Sequence, residues 1–245
     1  MLSFTLVLLI STALYSLMHF LESISIMSNI AGKITGNTAQ GKSLQHAIFV
    51  LGRIFLPVLL IILSFAIESD IKIKDFLLIS ISLCIFAFLS TLFALIYTNF
   101  FQIFFQKVIF FHEKYDLPLS IAKALFNKDK ISLENFDFDF KLSDINLPQM
   151  IKSTLGYFLL SVAFLVSFSF AILYSEYRLT ISQLTTILQG LGGLIIVFYV
   201  DPLFSKKLDE RIESETWKHN FYSIMIGRLM AFFISSITFV VAFYS

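Results

Sequence analysis

The chain has 245 residues, of which 57% are hydrophobic and only 14% are charged. Soluble domains carry about 25% charged residues, so this composition excludes a soluble protein and predicts an all-α integral membrane protein. The formal net charge of +1 gives no support to a nucleic-acid partner. A single cysteine, Cys84, excludes a disulfide within the chain.

Six apolar stretches are long enough to cross a bilayer, which takes roughly 20 helical residues. They are residues 2–26, 47–67, 76–97, 155–173, 181–200 and 221–244. The fifth is the least apolar, because it is rich in Thr, Gln and Gly. The sequence therefore predicts one polytopic membrane domain over residues 1–245 with about six transmembrane helices.

Residues 107–152 separate the third and fourth stretches and predict a short amphipathic insertion, cytoplasmic or at the membrane interface. Within it, residues 112–126 are typical of an amphipathic helix with Pro118 near its start. Residues 135–142 alternate acidic residues with Phe, which favours an extended segment with one apolar face. The insertion divides the chain into two halves of three helices. Because three is odd, the halves enter the membrane in opposite directions, which allows two inverted repeats of the kind found in transporters.

The basic residues predict the orientation of the chain. Thirteen of the 18 Lys and Arg residues lie in loops one, three and five, and three lie in the loops on the other side. Loops rich in Lys and Arg stay in the cytoplasm. We therefore expect a multi-pass protein of the plasma membrane with both termini outside the cytoplasm.

Four ionisable side chains lie within the apolar stretches. His19 and Glu22, three residues apart, share one face of the first helix. A carboxylate facing lipid would cost several kcal/mol. Arg53 lies in the second stretch and Arg228 in the sixth, and a guanidinium group keeps its charge and needs an anion or water. These four groups are therefore expected to face other helices or a hydrophilic groove walled by the first, second, fifth and sixth helices.

The fifth stretch adds Gln189, several glycines and a final Asp201 to this polar set. Two interpretations of the set stay open and are compatible. Glu22 with Arg53, and Asp201 with Arg228, are structural ion pairs, or the groups line a substrate pathway.

Three segments together resemble the Amj family of lipid II flippases, the alternative to the MurJ-type translocases. The segments are residues 19–57, 147–152 and 177–210, which carry a His-x-x-Glu pair, an arginine in the second helix and a Val-Asp-Pro sequence after the fifth. The matching positions are His19, Glu22, Gly32, Thr35, Gly36, Ser43, Leu44, Arg53, Arg178, Thr180, Gly190, Val200, Asp201, Pro202, Ser205, Asp209 and Arg228. The chain departs from the family at Gly52, where the family tends to have Ser, and at Asn29, where it has a basic residue.

The resemblance implies a transporter rather than an enzyme, without a cofactor or a metal. It would move lipid II, a lipid-linked peptidoglycan precursor, from the inner to the outer leaflet of the bacterial plasma membrane, for cell-wall biogenesis. Its partners would be lipid II and membrane lipid, and the oligomeric state stays open. The resemblance and the polar set together lead us to expect these substrate-binding residues: His19, Glu22, Lys33, Lys42, Arg53, Gln189, Asp201 and Arg228.

Within this hypothesis, the two arginines suit the phosphate oxygens of the diphosphate. His19 and Glu22 form a polar gate beside Arg53, and Lys33 and Lys42 gather the anionic head at the cytoplasmic mouth.

Two other functions fit the same polar set. A small-ion or solute secondary transporter predicts a compact site without a side opening. An intramembrane enzyme acting on isoprenyl diphosphates usually needs several acidic residues for a metal, whereas only Glu22 and Asp201 lie in or beside the apolar stretches.

Overall fold

The computed structural model describes residues 3–126, 142–209 and 216–245, and within these ranges it is helical and contains no strand. Six helical segments are long and apolar enough to cross a membrane, and we call them spans one to six. They are Phe4–Ile34, Thr38–Glu68, Ile73–Ile96, Leu147–Leu173, Ser175–Asp209 and Thr216–Tyr244. The predicted all-α membrane fold with six spans is therefore confirmed.

Spans one, three and six are single helices, whereas spans two, four and five are each interrupted. The α-helices in chain order are α1 (Phe4–Ile34), α2 (Thr38–Arg53), α3 (Phe55–Glu68), α4 (Ile73–Ile96), α5 (Thr98–His112), α6 (Leu117–Phe126), α7 (Leu147–Tyr157), α8 (Ala163–Leu173), α9 (Arg178–Ile195), α10 (Asp201–Asp209) and α11 (Thr216–Tyr244).

Span two is interrupted at Ile54, between α2 and α3. The cause lies at Pro57, which has no N–H for the carbonyl of Arg53 and whose ring crowds that carbonyl. Arg53 therefore ends α2, where the helix dipole favours a cation.

Spans four and five each contain one π-helical turn, at Phe158–Val162 and at Ile196–Val200. The two spans cross closely beside these turns, because a methyl group on Gly192 would lie only 2.8 Å from the carbonyl oxygen of Gly156. Single π-helical turns occur frequently at functional sites. Both turns border the cavity described below.

The spans of the two halves pack in matching ways. In the first half, α2 and α3 pack on α1, and in the second half α9 packs on α7 and α8. The third spans join the halves, because α4 packs on α11. Spans two and five thus hold equivalent peripheral places, which is the arrangement that the predicted inverted halves require.

The amphipathic helix predicted over residues 112–126 is present as the shorter α6, Leu117–Phe126, whereas His112 ends α5. Helix α6 packs on α5, and α5 packs on α1. Ser120 and Ala124 are buried on one face of α6, whereas Leu125 and Phe126 are exposed. Most of the predicted extended segment, residues 135–141, lies outside the described residues. The remaining residue, Leu142, begins a short 3-10 helix, Leu142–Asp144.

Helices α1 and α2 form a closely packed helical hairpin. Gly36 turns the chain with a φ of 71°, a conformation that glycine adopts without strain. The two backbones meet at Gly32, before the turn, and Gly41, after it. A methyl group on Gly41 would lie 2.6 Å from the carbonyl oxygen of Ser28. This contact packs the buried face of α2, which includes Gly41, Leu44, Ile48 and Gly52, against α1.

We expect Gly41→Ala to destabilise the protein, because the added methyl group can be accommodated only if α1 and α2 separate. Overpacking of this kind costs about 1–3 kcal/mol. A matched control is Gly190→Ala, since nothing lies within 4 Å of a methyl group there. The melting temperatures of the purified variants in detergent would test the difference. Equal melting temperatures would contradict the close α1–α2 contact.

Candidate functional site

A cavity of about 470 Å³ lies between spans two and five, with spans one and four behind it. Its size is within the range of about 300–1,000 Å³ that is typical of small-molecule sites. The polar groups in its wall are Glu22, Ser25, Lys42, Gln45, His46, Arg53, Tyr157, Gln189 and Asp201. Apolar side chains, among them Phe49, Leu160 and Val197, complete the wall.

Spans two and five are joined by side chains at their two ends. At one end, the Nζ of Lys42 lies 2.5 Å from the Oγ of Ser205. At the other end, Arg178 forms an ion pair of 3.2 Å with Asp70 and donates a hydrogen bond of 3.0 Å to the carbonyl of Ile67.

Between these ends no extensive helix contact joins α2 or α3 to α9. Val197 lines the cavity and is 57% exposed, so the cavity reaches the surface of the bundle beside span five.

Glu22 lies at the back of the cavity and contacts three basic side chains. Its Oε1 lies 2.6 Å from the Nε of Arg53, and its Oε2 accepts a hydrogen bond from Arg228. The Nδ1 of His19 lies 3.1 Å from the same Oε2. The predicted Glu22–Arg53 ion pair is confirmed, and the predicted Asp201–Arg228 pair is wrong, because Arg228 pairs with Glu22 instead.

Arg228 and His19 lie behind Glu22 and are fully buried. The Nη2 of Arg228 lies 2.8 Å from the Nδ1 of His19, and its guanidinium group lies over the ring of Tyr157 at 4.7 Å from the centroid. The ring of His19 packs edge-on against Tyr15 at 4.3 Å. Arg228 is thus held by a carboxylate and an aromatic ring, and has no direct access to the cavity.

Close packing of span six on span four sets the position of Arg228. A methyl group on the preceding residue, Gly227, would lie 2.6 Å from both the carbonyl oxygen of Met150 and the Cβ of Ser153. Only glycine allows this approach, which brings Arg228 to the ring of Tyr157.

Arg53 differs from Arg228 because its side chain is 18% exposed and borders the cavity. Its Nε faces Glu22 without the alignment of a hydrogen bond, and its Nη2 has no hydrogen-bond partner. Two guanidinium groups share one carboxylate, so the cluster has one positive charge in excess even with His19 neutral. A cluster of this charge that borders a cavity favours an anionic ligand.

The wall formed by span five carries polar groups without partners. Asp201 is half-buried and lines the cavity, and its carboxylate forms no ion pair or hydrogen bond with the described residues. The Nε2 of Gln189 is shielded from solvent and also has no hydrogen-bond partner within the described ranges.

The remaining predicted residues, the two lysines, are separated by the structure. Lys42 lines the cavity at the end where it contacts Ser205. Lys33 is buried outside the cavity, and its Nζ donates a hydrogen bond to the carbonyl of Leu208. The structure thus places Glu22, Lys42, Arg53, Gln189 and Asp201 in the cavity wall.

The predicted groove was expected between spans one, two, five and six, and this arrangement is wrong in one respect. Span four takes the place of span six, through Tyr157 and Leu160, because Arg228 is covered by Glu22 and Tyr157. Gln45 and His46 also line the cavity and were not predicted. Their signal was present, since Lys42, Gln45, His46, Phe49 and Arg53 repeat at helical spacing along one face of span two.

Among the residues that the structure describes, no three His, Cys, Asp or Glu side chains are placed to hold a metal ion. The arrangement can bind an anion at Arg53 and offers hydrogen-bonding groups on the wall opposite. Comparison with protein-family models, with curated proteins and with solved structures finds no match for the chain, so its resemblance to the Amj family stays a prediction.

Proposed function

We propose that the protein is a flippase for an anionic polyprenyl-diphosphate lipid of the lipid II type, which it moves from the inner to the outer leaflet of the bacterial plasma membrane. The observation that carries this proposal is the cavity, which combines an excess of positive charge with an opening to the side of the helix bundle. A charged head cannot cross hydrocarbon unaided, and such a cavity shelters it.

The charges of the cavity fit a diphosphate. Arg53 lines the cavity with its side chain 18% exposed, and a guanidinium group binds phosphate oxygens through two parallel hydrogen bonds. Glu22 holds Arg53 when no ligand is bound, at 2.6 Å. A diphosphate would compete with Glu22 for Arg53, while Glu22 would keep Arg228 as its second partner.

The side opening supports a lipid rather than a small solute. The exposed side chains of span five near the opening are apolar, and Val197 and Phe198 are 57% and 65% exposed. A polyprenyl tail can remain in the bilayer beside them while the head occupies the cavity. The alternative, a small-ion or solute transporter, needs no such opening.

The interrupted helices support a transporter. Transporters commonly build their sites from discontinuous helices at the interface of two repeats. Here the two walls are interrupted at Ile54 and at Ile196–Val200, and they hold equivalent places in the two halves. The cavity lies toward the ends of spans two and five that the excess of basic residues assigns to the cytoplasm.

Reconstitution tests this function. The purified protein in liposomes is expected to move a polyprenyl-diphosphate-linked sugar between leaflets, measured by the accessibility of the sugar to an external reagent. In cells, the gene is expected to sustain growth when the other lipid II flippase is removed. Correctly inserted protein that fails in both assays would refute the proposal.

A cross-link between positions 42 and 205 is expected to block transport. In the described structure Lys42 and Ser205 join spans two and five at the mouth of the cavity. In the variant with Lys42→Cys and Ser205→Cys, the two sulfur atoms are separated by about the length of a lysine side chain. This distance is too long for a disulfide, so a short reagent that links two thiols is needed. The native Cys84 is buried and does not compete. Each single cysteine variant treated with the same reagent is the control. Unchanged transport after complete cross-linking would mean that spans two and five do not have to separate at this end of the cavity during transport.

A further inference from the structure

We infer that Asp201 recognises a hydrogen-bond-donating group attached to the phosphates of the ligand, and so distinguishes a sugar-bearing diphosphate lipid from the bare diphosphate. This inference rests on the proposed function and assigns a role to one wall of the same cavity.

The cavity has two chemically different walls. On spans one and two, the cluster of Arg53 with Glu22 carries the excess positive charge and Lys42 adds another cation. On span five, Asp201 contributes a carboxylate that accepts no hydrogen bond from the described residues, although Lys42 lies near enough to attract it. The ligand therefore meets cations on one side and an acceptor on the other.

A carboxylate in the cavity wall that accepts no hydrogen bond works against a site that binds only phosphate. Like charges repel in a cavity of low dielectric constant, and a carboxylate accepts hydrogen bonds but donates none. Asp201 becomes favourable when the ligand places N–H or O–H groups between its phosphates and this wall. Gln189, on the same wall, adds a side-chain amide to the polar lining.

Two kinds of membrane lipid carry donors next to phosphate. One is a glycosyl diphosphate, with hydroxyl and amide groups on its sugar. The other is a zwitterionic glycerophospholipid, with an ammonium group. The cavity favours the glycosyl diphosphate, because its second phosphate is attracted by the excess positive charge of the arginine cluster. The zwitterionic lipid has only one phosphate, and its own ammonium group neutralises it.

The test compares two lipids with the purified full-length protein in nanodiscs, a polyprenyl diphosphate and the same lipid bearing an N-acetylhexosamine. The wild-type protein is expected to bind the sugar-bearing lipid about tenfold more tightly, the factor expected from hydrogen bonds to a charged group. Asp201→Ala is expected to weaken binding of the sugar-bearing lipid and to strengthen binding of the bare diphosphate.

These opposite changes would not follow from a structural role for Asp201. Asp201→Asn keeps one oxygen acceptor and is expected to fall between the wild type and Asp201→Ala. Asp209→Ala, an exposed carboxylate on the same helix α10, is the matched control and is expected to change neither affinity.

Two results would overturn the inference. One is a parallel change for both lipids in Asp201→Ala. The other is competition by phosphatidylethanolamine that equals competition by the sugar-bearing lipid, which would assign Asp201 to an ammonium group. If the wild-type protein bound neither diphosphate lipid, the proposed function itself would fail, and the two failures are therefore distinguishable.

Discussion

Replacement of Arg53 by glutamine is expected to abolish lipid translocation and to leave the fold intact. Arg53 is the partly exposed arginine of the cluster, and removing a charge-assisted hydrogen bond to phosphate should weaken ligand binding by about ten- to a hundredfold. The fold is retained because Glu22 keeps Arg228 as a partner. Transport in liposomes and the melting temperature of the same preparation would be measured together.

The control for this experiment is Lys72→Gln, which removes an exposed cation outside the cavity and should change neither transport nor stability. Arg53→Lys keeps the charge but loses the planar pair of donors, so partial transport is expected. Full transport by Arg53→Gln would contradict the proposed role, and Arg53 would then only neutralise Glu22.

Replacement of Glu22 by glutamine is expected to produce the largest loss of stability. This change leaves Arg228 fully buried and Arg53 largely buried without an anion. Removing one partner of a buried ion pair costs about 3–5 kcal/mol. Unfolding of the protein in detergent, followed by circular dichroism, would measure this loss.

A second variant separates charge from packing. In Glu22→Gln combined with Arg228→Gln, the fully buried cation is removed as well, so stability should be partly restored relative to Glu22→Gln alone. Residues in one buried network are coupled, and the double-mutant cycle measures that coupling. Strictly additive losses would mean that Glu22 and Arg228 do not stabilise each other.

The membrane fold could be predicted almost completely from the sequence. Apolar length locates each span, because crossing the bilayer takes about 20 helical residues. It did not predict the interruptions of spans two, four and five, or that span four begins at Leu147. Two local features could also be predicted, the helix α6 after Pro118 and the pairing of Glu22 with Arg53. Both features are local in the sequence: α6 is a single short helix, and Glu22 and Arg53 lie on the consecutive helices α1 and α2.

The composition of the site could be predicted only in part, because neighbouring spans are not encoded in local patterns. Asp201 was the predicted partner of Arg228, but Arg228 pairs with Glu22. The position of Arg228 depends on Gly227, which brings span six against span four. The same close packing makes Tyr157 part of the wall. Lys33 follows the polar face of span one but lies where α10 supplies a carbonyl, at Leu208.

The shared carboxylate of Glu22 has a consequence for how the two halves communicate. Glu22 belongs to span one, Arg53 to span two and Arg228 to span six, so one side chain balances a contact within the first half against a contact with the second. A ligand that binds Arg53 in place of Glu22 leaves Arg228 as the remaining arginine partner of this carboxylate. The Glu22–Arg228 ion pair, which joins the two halves, then becomes stronger. Because such coupling is reciprocal, any movement that separates spans one and six must lower the affinity for the ligand. The proposed release into the opposite leaflet requires such a loss of affinity.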